Sequence, residues 1–197
     1  RSTLFPYTTL FRSGSAVTDP VTGLERQALA VMVQLPFVAA AAGADAIEAA
    51  AFANPVHRAV FEAVQAAGGA ARALDEVRAL TADGRGREEV ERAALARWVE
   101  QVRLGAGPEV DAALTALAVV ELPVAGRRGA GEGLDADSAG RYARGVLTSL
   151  ARMGVNRRLT ELRGRQRRMS PQDEGYREVF EEIVGLENKR MQLSMRS

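Results

Sequence analysis

The densest concentration of chemically active side chains is the run RRLTELRGRQRR at 157–168. Arg157, Arg158, Arg163, Arg165, Arg167 and Arg168 stand there against the single acid Glu161, a net charge of +5. The next stretch reverses the sign: from 173 to 187, Asp173, Glu174, Glu178, Glu181, Glu182 and Glu187 stand against Arg177, a net charge of −5. Guanidinium groups at this density are the chemistry of phosphate binding. Binding of a single strand also calls for aromatic side chains among the cations, on which bases stack, and none lies within 157–168. The adjacent acidic segment favours a different reading, in which the two segments fold as an antiparallel helical hairpin and neutralise one another. Exposed ion pairs contribute only about 0–1 kcal/mol each. The charges therefore set pairing and orientation, while buried apolar side chains, at roughly 1.5–3 kcal/mol each, supply the stability.

Other reactive groups are few. The chain has no cysteine and one histidine, His57, which excludes disulfides, thiolate zinc sites and a histidine metal cluster. His57 falls in the first turn of an expected helix, as a surface or capping residue, and Trp98 reads as a core anchor. No phosphate-binding glycine loop, dinucleotide fingerprint or nucleophile elbow is present. The net charge is +1 with a pI near 8.4, below the range of a strongly basic nucleic-acid-binding domain. Lys189 is the only lysine beside many arginines and alanines, a GC-rich bacterial bias, and the expected location is cytoplasmic. The apolar run 28–44 contains Gln34 and Pro36 and falls short of the ~20 residues a membrane span needs. It reads as a buried helix and turn, with no membrane association.

Helical periodicity positions all of these groups. Asp19-Pro20 is an N-cap and first helical residue, followed by the stripe Leu24, Ala28, Val31, Met32, Leu35, which Pro36 stops. Asn54-Pro55 repeats the cap ahead of Val60, Phe61 and Val64, and Gly68-Gly69 ends that helix. Further helices are expected over 72–80, over 87–103 with Leu95, Trp98, Val99 and Val102, and from Pro108 with Val110, Leu114 and Leu117. No run alternates with period two, so no sheet is expected and the fold class is all-α. The glycine-rich stretch from Pro123 reads as a flexible linker. Beyond it a long helix from Asp137 or Ser138 carries Tyr142, Val146, Leu150, Met153, Leu159, Leu162 and Met169, with Gly154 as a bend. SPQD then resembles a capping box, with Ser170 as N-cap, Pro171 at N1 and Asp173 at N3. The last helix carries Tyr176, Val179, Phe180, Ile183 and Leu186. Met191, Leu193 and Met195 follow, either as a frayed end or as an adaptable partner surface.

The N-terminal stretch TLFPYTTLFRS does not belong to this pattern. Its threonines and aromatics favour a strand, which Pro6 breaks and no second strand pairs. It reads as a translated sequencing adapter, with Arg1-Ser2 repeating Arg12-Ser13, so the expected true N-terminus is missing and the chain a fragment. The expected domains are 1–13 adapter, 14–18 linker remnant, 19–122 helical bundle, 123–136 glycine-rich linker, and 137–197 long helix and C-terminal hairpin.

LERQALAVMVQLPFVA, FANPVHRAVFEAVQAAGG and the stretch RYARGVLTSLARMGVNRRLTELRGRQRRMSPQDEGYREVFEEIVGLENKRMQL together resemble the helicase-binding C-terminal domain of bacterial DNA primase (DnaG), in its actinobacterial branch. The resemblance covers roughly 19–193. It implies a compact helical bundle, a long helix and a hairpin that docks on the N-terminal domains of the hexameric replicative helicase. A monomer is expected, with single-stranded DNA as a weak further partner. The docking residues expected on the hairpin's free faces and tip are Arg165, Arg168, Met169, Tyr176, Phe180, Glu187 and Met191. A whole primase makes RNA primers with zinc and catalytic domains that use zinc and magnesium. Neither domain is expected in this fragment, which is read as non-catalytic and free of cofactors. EGYRE at 174–178 resembles the E-G-Y-x-D motif of the primase catalytic domain, but it has Glu for the final Asp, a helical context and no D-x-D downstream. The alternatives are the N-terminal domain of a replicative helicase, which a linker and Walker-type motor should follow, and a nucleic-acid-binding helical adaptor.

Overall fold

The computed structural model describes residues 19–81, 86–123 and 136–195. Within these the chain is helical without strands: α1 (Pro20–Gln34), α2 (Pro36–Ala41), α3 (Pro55–Ala66), α4 (Ala71–Thr81), α5 (Arg87–Leu104), α6 (Pro108–Ala118), α7 (Ala136–Gln166) and α8 (Tyr176–Met195). Two 3-10 turns, Ala44–Ala46 and Ala49–Ala51, join α2 to α3. The all-α expectation holds for these residues. The presumed adapter, the linker remnant, and all of the glycine-rich linker except its two end residues lie outside them.

Local chemistry sets most of the boundaries. Asp19 accepts the Thr22 amide at 3.2 Å, and Asn54 accepts the amides of Val56 and His57 at 2.9 and 3.2 Å. Both satisfy donors that a helix start leaves orphaned, and Pro follows each cap at the position where no donor is needed. Pro36 ends α1 but also opens α2, because the fixed ring torsion that stops one helix suits the first turn of the next. One expectation gives way. SPQD does not open the last helix: Ser170 N–H donates to Asp173 at 2.8 Å, while the Ser170 hydroxyl turns to Gln172. The chain then passes through Gly175 at φ +82° before α8 begins at Tyr176. A left-handed residue there cannot belong to a right-handed helix, so half a capping box closes a turn instead. Gly154 lies inside the unbroken α7. A Cβ on it would lie 2.7 Å from the Ala51 Cα, so the residue is needed for close approach to the second 3-10 turn.

Three apolar clusters result. The large one fills the bundle with Leu29, Met32, Phe52, Phe61 and Trp98, and takes in Ala143, Val146, Leu147 and Leu150 from the first half of α7. The Phe52 and Phe61 rings lie 4.9 Å apart between centroids. A small cluster of Leu80, Val90 and Ala94 ties α4 to α5. The third, separate from the first, begins at Val155 and joins Leu159 and Leu162 of α7 to Val179 and Ile183 of α8. A 31-residue α7 thus serves two cores, and it exceeds the length of an average globular helix for that reason.

Candidate functional site

Several polar side chains of the bundle are engaged in holding its helix ends, while Gln65 Nε2, Arg103 Nε and the Tyr142 hydroxyl are buried without a hydrogen-bond partner. Glu25 is wholly buried on α1. Its carboxylate accepts the Ala53 amide at 2.5 Å and the Asn54 amide at 3.2 Å, and meets His57 Nδ1 at 2.9 Å. A carboxylate from another helix therefore sits at the positive end of α3, where the dipole favours it. His57 is drawn inward as its partner and not left at the surface. Asp45 does the same for α4, accepting the amides of Ala70 and Ala71 at 2.7 and 2.9 Å. Gly69, at φ +73°, lets that carboxylate approach, since a Cβ would come within 2.5 Å of it. The Gly69 carbonyl then accepts the Trp98 indole N–H at 2.9 Å. At the far end of α6, the Gln34 amide donates to the carbonyls of Leu117 and Val120 at 2.7 and 2.8 Å. Burial pushes the Tyr142 phenol above its ordinary range. Among the described residues no group of three metal-ligating side chains converges, and no helix is long and apolar enough to cross a membrane. EGYRE lies across the turn into α8, not at a strand end.

The hairpin differs. Its charges are exposed and paired between helices: Arg158 donates to Glu182 at 2.8 Å, and Arg163 pairs with Glu187. The hydrogen bond from Arg158 to Glu182 holds its guanidinium still further above the usual range. Arg157 donates to the Ala50 carbonyl. Half of the basic run is thereby engaged, while Arg165, Arg167 and Arg168, at the end of α7 and in the turn, are exposed and have no ion pair among the described residues.

The apolar pattern of α8 has two faces. Val179 and Ile183 are buried at 3% and 9% exposure, with Leu186 and Leu193 packed alongside. Phe180, Val184, Met191 and Met195 are 50%, 44%, 62% and 76% exposed. At 3.6 residues per turn these four fall within an arc of about 60°, turned roughly 135° from the buried face, and run about 22 Å along the axis. They form two exposed apolar pairs on one side of α8, Phe180 with Val184 and Met191 with Met195, separated by about two turns that carry Glu187 and Asn188.

The seven residues singled out from sequence fall into three settings. Phe180 and Met191 lie on the outward stripe. Arg165 and Arg168 are exposed at the tip. Met169 packs against the hairpin core, Tyr176 is half-buried at the start of α8, and Glu187 is engaged by Arg163 and, at 2.6 Å, by Arg190. Val184 and Met195 complete the stripe and were not among the seven. Their spacing from Phe180 and Met191, four residues in each case, was the available signal.

The family described as DNA primase DnaG DnaB-binding matches residues 25–178. The DNA primase of Mycobacterium leprae is 29% identical over 177 residues, and that of Mycobacterium tuberculosis 27% over the same length. Each alignment covers 89% of this chain but 23% of the relative, so the chain spans less than a quarter of those proteins' length. A solved structure, the helicase binding domain of primase from Mycobacterium tuberculosis, superposes with a TM-score of 0.54 at 26% identity, covering 88% of this chain and 91% of that one. The chain belongs to the DnaG DnaB-binding family, the C-terminal helicase-binding domain of DNA primase.

Proposed function

We propose that this chain docks a primase onto the hexameric replicative helicase, so that RNA primers are laid down where the duplex is being opened. The observation that carries the reading is the uncovered stripe Phe180, Val184, Met191 and Met195 on a hairpin whose own core is already closed. Exposed apolar side chains along one side of a helix, two of them methionines, are what a partner helix seeks. An amphipathic helix laid in a groove is a common recognition mode. Arg165 and Arg168 extend the surface at the hairpin tip with cations that steer an acidic partner. Met169, Tyr176 and Glu187 back the contact by fixing α8 on α7. The role is one of binding, with no reaction step of its own. In the parent primase, primer synthesis with zinc and magnesium belongs to other domains.

A specific contact of this kind buries about 1,200–2,000 Å² in total, more than the stripe alone provides, so the tip and part of the bundle border it. The direct test is a titration of the chain against the hexameric replicative helicase of an actinobacterium, with single-stranded DNA in parallel. Saturable helicase binding that disappears when 157–197 is deleted supports docking through the hairpin. Tight DNA binding that weakens steeply with salt, without helicase binding, would instead assign the free arginines to nucleic acid.

A further inference from the structure

The two cores meet at one place. The bundle core ends on α7 at Leu150 and the partly buried Met153; the hairpin core starts at Val155. Gly154 lies between them, pressed on the Ala49–Ala51 turn so closely that a Cβ would sit 2.7 Å from Ala51 Cα and 2.9 Å from its Cβ. Around this contact three further features cross from bundle to hairpin. Arg157 donates to the Ala50 carbonyl. Lys189, the only lysine of the chain, reaches from α8 to Glu48. A partly open pocket of about 120 Å³ remains beside Ile47, Ala50, Ala151, Gly154 and Leu186, with the charged side chains of Glu48, Arg158, Glu182 and Lys189 also lining it. The apolar contact across the seam is therefore narrow and incompletely filled, and its rim is made of an exposed ion pair.

We propose that Gly154, Glu48 and Lys189 are positioning residues for docking. They set the angle at which the hairpin stands on the bundle, and hence where the α8 stripe meets its partner. The inference rests on the docking reading above. Gly154 allows α7 to lie directly on the turn, fixing the root of the hairpin. Lys189 and Glu48 fix its second helix, 35 residues further along. The stripe stays exposed while both contacts are made, so the seam holds the surface ready and does not hide it. The bundle and the hairpin have separate cores, so the seam can be altered without removing a side chain from either.

Because the chain lacks cysteine, a labelled pair can be introduced cleanly. Glu62→Cys on α3 and Gln192→Cys on α8, both exposed, would carry spin labels reporting the bundle-to-hairpin distance distribution. Glu48→Lys and Lys189→Glu, each alone, should broaden that distribution and weaken helicase binding about threefold, near the ceiling for an exposed pair. The double exchange should restore both. Gly154→Ala should shift the mean distance and weaken binding on the order of tenfold, with a retained melting transition showing that the cores survive. Unchanged distances in the single variants, a shifted distance without loss of affinity, or failure of the double exchange to recover would overturn the proposal. Failure of the unaltered chain to bind helicase would instead overturn the docking reading, and the labelled distances would still report the seam.

Discussion

The bundle and the hairpin are built from the same few residue types and use them in opposite ways. In the bundle, Trp98, Phe52, Phe61 and Leu29 are sealed from solvent, and the carboxylates of Glu25 and Asp45 are turned onto helix starts. In the hairpin, five buried side chains form the core with Met169, Leu186 and Leu193 packed against them, carboxylates such as Glu182 and Glu187 pair with arginines, and four large apolar residues face outward. A buried carboxylate that accepts backbone donors is costly to remove, whereas an exposed pair is worth little. The bundle therefore carries the larger core and the buried caps, with Leu104 and Val119 as its exposed large apolar residues among those described. The hairpin is closed on one face only, and the other is free to meet a second molecule.

Substitutions that act in only one of the two regions separate them. The largest effect is expected from Leu159→Ala. It removes one of the five side chains of the hairpin core and should cost about 2–5 kcal/mol, with the loss confined to the hairpin. Hydrogen exchange should show the α8 amides losing protection while those of α3 and α5 keep theirs. Loss of protection throughout would mean that the two cores are one cooperative unit and would break the distinction. A smaller effect, about 1.5–3 kcal/mol, is expected from Glu25→Gln. The amide keeps the shape but faces the Ala53 or Asn54 donor with a donor of its own, so a denaturant melt of the bundle should move to lower concentration. An unchanged melt would show that the capping carboxylate is not needed.

Signals confined to a few neighbouring residues were legible in the sequence. Asp19-Pro20, Asn54-Pro55 and Pro108 mark helix starts that the structure contains, because caps and proline act within one turn. The opposite charges of 157–168 and 173–187 likewise anticipate the Arg158–Glu182 and Arg163–Glu187 pairs. Contacts between distant residues were not legible. Glu25 and the amides it accepts are 28 and 29 residues apart, and Gln34 reaches carbonyls 83 and 86 residues away. Nothing in the periodicity of α1 distinguishes a buried capping Glu25 from a surface one. Gly154 is a case of the same kind, since its role depends on Ala51, which reaches it only in the folded chain. On α8 the sequence presents apolar residues on two faces, and only the packing of α7 decides that Val179 and Ile183 go inward while Phe180 and Val184 stay out.

Docking through the outward face of α8 can be probed by changing that face alone. Phe180→Gln, Val184→Gln, Met191→Gln and Met195→Gln combined in one chain preserve helix propensity and leave Val179, Ile183 and Leu186 in place. Helicase affinity of this variant should be measured by titration calorimetry beside its thermal melt. Binding should weaken by about 100-fold or more, as expected when hot-spot side chains are removed, while the melting transition stays where it is. Full-affinity binding by a variant that still melts normally would contradict docking through that face.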